Sequence, residues 1–202
     1  ALIEQNTNFL SSKSSQAEDL SGELGARVGV FIHRMLEKAL LQESLEYEAE
    51  WNDLVLQFYN EGNQPYSSEY WQNLYGDVCQ EIRSNLTSIA WKELFIDMAS
   101  LRTELPILYL NQGELVRGTC DLLIEKRDGS YVVVDYKSTR EVLDLSIEEK
   151  EGDESLLGFC QKHQYNKQLN YYVEGVKKIF KTELVQGVVW FTKIQRGICC
   201  CS

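Results

Sequence analysis

The stretch from Arg117 to Thr139, "RGTCDLLIEKRDGSYVVVDYKST", constrains the fold more than any other part of this chain. It reads as two apolar β-strands around a turn, yet it carries Asp121, Asp135 and Lys137 inside those strands. Burying an unpaired carboxylate costs on the order of several kcal/mol, so these charges need partners. Residues two apart on a strand share a face, so Asp135 and Lys137 point together while Val134 and Tyr136 face the other way. The turn decides where Asp121 goes. A two-residue loop at Asp128-Gly129 sets Asp121 opposite Tyr136, on the wrong face; a three-residue loop, Arg127-Asp128-Gly129, sets it opposite Asp135. Gly129 suits the left-handed position that closes the longer loop with a bulge. A charge site here therefore requires the three-residue loop. The plainer alternative is an Asp121–Lys137 salt bridge, with Asp135 simply ending a strand.

Two carboxylates brought this close repel each other, and a divalent cation relieves the repulsion. Oxygen ligands favour magnesium or manganese. Such an ion polarises a phosphate and acidifies a bound water. Lys137 is placed to orient that water, help activate it, or stabilise charge developing on the phosphate.

The flanking sequence frames this hairpin. Residues 1–20 are polar and serine-rich and read as an arm or linker. Residues 25–42 read as a helix, with Val28, Ile32, Met35, Leu36, Ala39 and Leu40 on one stripe. Residues 43–67 hold a second, short helix around Trp51, Leu54, Val55 and Phe58, then a loop. Residues 68–100 are helical in period. Strands follow at 103–111, 114–125 and 131–137, with Pro106 hinting at an edge or an early position. The segment 141–154 holds seven acids and one lysine and reads as a solvated loop or short helix. A helix over 160–180 and a strand over 184–194 complete the chain. The order (helices, three-stranded antiparallel meander, helix, strand) predicts one α+β domain over residues 21–202.

Composition excludes several classes. The net charge of −11 argues against a stand-alone, nonspecific nucleic-acid binder, whose affinity would come from lysine and arginine. No apolar run is long enough for a membrane span. The first residues lack the apolar core of a signal peptide, and opening on Ala1 fits a piece cut from a longer chain. The six cysteines match no zinc spacing and are read as reduced thiols of a cytoplasmic protein.

Two further segments join the hairpin. In "GVFIH" Gly29 and His33 lie one helical turn apart, and in "QLNYY" so do Gln168 and Tyr172. G-x-x-x-H on an early helix, G-x-x-D on one strand, D-Y-K on the next and Q-x-x-x-Y on the following helix resemble the RecB-type branch of the PD-(D/E)XK nucleases. The resemblance runs in order over residues 25–192, and "YNKQLNYYVEGV" is similar to the C-terminal nuclease domains of RecB and AddA helicase–nucleases. CRISPR-associated and phage exonucleases share the motifs. The resemblance implies a restriction-endonuclease-like core and a metal-dependent DNA exonuclease, with endonuclease action as a further expectation. It implies metal ligation by His33, Asp121, Asp135 and the Tyr136 backbone carbonyl, with Lys137 as the catalytic lysine. Gln168 and Tyr172 would support the site or contact DNA, as would Glu104, which resembles a family acid ahead of the G-x-x-D strand. Gly29 and Gly118 would allow close backbone approach. The four-cysteine cluster of some branches is absent. The acidic surface fits a domain to which a helicase module or partner subunit delivers DNA, in repair or recombination. Two rivals remain open: a catalytically inactive scaffold or DNA-end binder of the same fold, and an unrelated acidic interaction protein.

Overall fold

The computed structural model describes residues 22–43, 47–61 and 66–201; the polar arm expected over 1–20 lies outside them. The chain divides into two compact units, Ala1–Cys79 and Gln80–Ser202.

In the first unit, α1 (Glu23–Leu40) buries the stripe Leu24, Val28, Phe31, Ile32, Met35 and Leu36. Arg34 and Lys38 on α1 both pair with Glu50 on α2 (Tyr47–Asn60). Trp51 packs edge-on against Phe31 and against Trp71, which lies early in α3 (Ser68–Thr87).

The second unit takes up the end of α3 and continues into a short helix, α4 (Ile89–Glu93), capped by the Ser88 side chain. Helical structure was expected to run to residue 100, but β1 (Met98–Asn111) begins earlier. Asp97, with φ 55, turns the chain, and residues 98–102 already pair with β2 (Glu114–Lys126). Tertiary pairing overrides the helical period there.

The sheet has the order β1-β2-β3-β4-β5, where β3 is Tyr131–Lys137, β4 is Val185–Phe191 and β5 is Arg196–Cys201. β1, β2 and β3 form the expected antiparallel meander, and Pro106 does sit on an edge strand. β4 runs parallel to β3, which demands a long crossover. That crossover carries a 3₁₀ turn (Glu141–Asp144), α5 (Ile147–Glu151), α6 (Asp153–Lys162) and α7 (Tyr165–Phe180). The acidic segment thus becomes short helices, α5 being closed by a Ser146–Glu149 capping box. The single helix expected over 160–180 is two, broken at Gln164, which has φ 59. β5 was not expected; the Cys199-Cys200-Cys201 run is its last turn of strand, pairing with β4. Cys79, Cys120, Cys160, Cys199 and Cys200 form no disulfide, and Cys120 and Cys160 are fully buried.

Helix α7 covers one face of the sheet. Ile107, Leu123, Val133 and Val189 meet Leu169, Val173 and Val176 in the core. Gly175 lets the helix approach closely: a Cβ there would lie 2.3 Å from Ile107.

Candidate active site

The loop between β2 and β3 is the three-residue kind. Lys126 N–H donates to the Ser130 carbonyl at 2.8 Å, which leaves Arg127, Asp128 and Gly129 as the turn, with Gly129 at φ 84. The ladder above it pairs Glu125 with Tyr131 and Leu122 with Val134. One step further, the same register sets Asp121 opposite Asp135. The ladder stops there, and Asp121 Oδ2 accepts the Tyr136 backbone N–H at 2.6 Å.

Glu104 stands across the other side of β2. Its neighbours pair as Thr103 with Leu122 and Leu105 with Cys120, so the register sets Glu104 opposite Asp121. Glu104 has φ 47, a left-handed backbone that a β-strand residue rarely adopts. The alternation of faces changes phase at this bend. Below it Leu123 and Val133 face α7; beyond it Leu105, Ile107, Tyr109 and Cys120 do. Cys120 and Asp121 therefore both turn toward the α7 side, although they are adjacent in sequence.

Lys137 Nζ lies 2.6 Å from Asp135 Oδ2, donates to Gln168 Oε1 at 3.0 Å, and sits 5.0 Å above the Tyr165 ring. Gln168 Nε2 donates to the Tyr172 hydroxyl at 3.0 Å. Tyr172 in turn lies against Gly118, where a Cβ would come within 2.7 Å of its ring. Asp121, Asp135, Lys137, Gln168 and Tyr172 thus form one array at the ends of β2 and β3 and the start of α7. The Tyr136 side chain points away into an aromatic cluster with Trp91. His33 lies half-buried on α1 in the first unit, one turn from the buried Gly29. Tyr165, which lies outside the sequence motifs, is a further neighbour of Lys137; its position one turn before Gln168 is the signal that could have found it.

Burial, and then the neighbouring Asp135 charge, push the Asp121 carboxyl up to about 7; the Tyr136 N–H and Lys137 only partly offset this. Burial likewise raises Asp135, against the pull of Lys137. The bare pair therefore holds protons more tightly than ordinary carboxylates. Asp135 Oδ2 is buried without a hydrogen bond of ordinary geometry, and its companion is the Lys137 ammonium. Two acids that share a single ammonium fit an added cation. Among the described residues no three histidine, cysteine or acidic side chains form a ready cage. Two carboxylates completed by backbone, water and a substrate phosphate suit magnesium, which seldom takes an all-protein cage.

A family model described as the PD-(D/E)XK nuclease superfamily matches residues 8–196. The chain belongs to that superfamily, and its mixed sheet and helices are those of a restriction-endonuclease-like fold. Members are generally nucleases and typically use divalent metals, which makes nuclease chemistry on DNA the coarse functional assignment. No curated protein matches this chain. Among solved structures, "Crystal structure of SSO0001" is similar at 17% identity and TM-score 0.29, over 84% of this chain and 74% of that one. A likeness that slight carries no functional weight. Among the described residues no helix is long and apolar enough to cross a membrane.

Proposed function

We propose that this chain is a metal-dependent DNA exonuclease domain of the RecB type, working with a helicase module or partner subunit in repair or recombination. The supporting observation is the array Asp121–Asp135–Lys137–Gln168, in which a half-buried carboxylate, Asp121, and a buried one, Asp135, converge beside one ammonium. Asp121, Asp135 and the Tyr136 carbonyl would hold a magnesium or manganese ion, with His33 as a fourth candidate ligand. When bound, the ion polarises the scissile phosphate and supplies an acidified water. Lys137 steers the nucleophile and stabilises charge on the phosphate as attack proceeds in line. Gln168 keeps Lys137 extended over the site, and Tyr172 braces Gln168. Glu104, which the register sets opposite Asp121, would add a third carboxylate beside the pair.

The test is digestion of end-labelled linear and circular single-stranded DNA with magnesium, manganese or EDTA, beside Asp135→Ala. Metal-dependent loss of linear DNA that the variant lacks supports the reading, and cutting of the circle reveals endonuclease action. A variant as active as the parent, or a folded parent that neither binds metal nor cuts, leaves the scaffold reading in its place.

A further inference from the structure

Among the described residues four polar or charged side chains are buried: Asp135, Glu81, Asn85 and Thr192. The first belongs to the site above. The other three form a separate network, and it touches β3 at one residue, Lys137.

Thr192 directly follows β4. Its backbone N–H donates to the Lys137 carbonyl at 3.0 Å. Thr192 is itself pinned by the end of α3. Its hydroxyl donates to Glu81, and its carbonyl accepts from Asn85 Nδ2 at 2.8 Å. Asn85 is fixed in turn: Nδ2 also donates to the Glu81 carbonyl at 2.8 Å, and Oδ1 accepts from Trp190 Nε1 at 2.7 Å. The second Glu81 oxygen pairs with Lys193. A buried network of this kind adds little net stability over apolar packing, but it fixes one geometry. The geometry it fixes is the backbone from which the Lys137 side chain springs. That side chain must reach both Asp135 and Gln168, and an error of about 1 Å would cost it one of them.

We infer that Glu81, Asn85 and Thr192 are positioning residues for Lys137, acting through the Thr192–Lys137 backbone hydrogen bond. The inference rests on the reading of Lys137 as the catalytic lysine.

The experiment compares steady-state DNA cleavage, per folded molecule, for the parent, Thr192→Val, Thr192→Ser, Glu81→Gln and Lys137→Ala. We expect Thr192→Val to lower kcat about tenfold with KM changed less than about twofold, and Thr192→Ser to restore it. Glu81→Gln, which keeps the volume should Thr192→Val fail to fold, lowers kcat in the same direction by about threefold. Both shift the pH profile of kcat, which a purely structural loss leaves in place. Parental kcat in the folded variants, or a change in KM alone, overturns the inference while Lys137→Ala still reports on the catalytic reading. An active Lys137→Ala, or an inactive parent, overturns both.

Discussion

Asp121 Oδ2 accepts the Tyr136 backbone N–H at 2.6 Å, in the place where the β2–β3 ladder would otherwise continue. One side chain thus replaces a strand hydrogen bond. The last ladder pair is Leu122 with Val134, and the next step of that register sets Asp121 and Asp135 opposite each other. The cost is two acids held in a poorly solvated place.

That cost is measurable. Asp121→Asn keeps an acceptor for the Tyr136 N–H and removes one of the two charges. It should stabilise the metal-free protein by roughly 1–2 kcal/mol at pH 8 while reducing cleavage at least about a hundredfold. Urea unfolding with EDTA, beside a cleavage assay, checks both. Loss of stability would mean the carboxylate pair is not under strain.

The pH dependence has a defined sign. Asp121 titrates near 7 in the fold, against an ordinary value of 3.8, so the fold binds its proton more tightly than the unfolded chain does. The resulting stabilisation is complete below about pH 4 and is lost as pH rises through about 7. Metal-free melting temperature should therefore fall between pH 5 and 7.5, and that slope should shrink in Asp121→Asn, which leaves only the part due to the raised Asp135 carboxyl. Magnesium should flatten it in the parent.

Gly118→Ala tests the bracing of the site from behind. The added Cβ meets the Tyr172 ring at 2.7 Å, so the ring or the strand must move. The expected result is a loss of about 1–3 kcal/mol in stability. Cleavage should fall about tenfold through displacement of Gln168. Chemical denaturation and steady-state rates read the two effects separately.

Gly129→Ala tests the loop that sets the register. At φ 84 an L-residue is strained, although a Cβ there meets no neighbouring atom. A loss of about 1 kcal/mol is expected, with activity retained in the folded fraction. Parental stability would show that the turn does not need the left-handed backbone.

Much of this was legible in the sequence because strand period and turn length are local properties. The bounds of β3 and the placing of Asp121 opposite Asp135 follow from Gly129 and the alternation around it. The phase change at Glu104 was not legible, since it depends on a left-handed backbone that nothing in a glutamate's sequence context signals. β5 was hidden because a cysteine run has no turn signal and gains its pairing only from β4. The Glu81–Asn85–Thr192 network joins residues more than a hundred positions apart, and each alone reads as an ordinary polar residue.

The most direct measurement is cleavage of end-labelled linear DNA by the parent, Asp135→Ala and Lys137→Ala, with magnesium and with EDTA. Metal-dependent digestion by the parent, and a loss of at least about a thousandfold in both folded variants, is the predicted result. Digestion that survives Lys137→Ala, or that proceeds unchanged in EDTA, would contradict the placement of a metal-dependent nuclease centre at these residues.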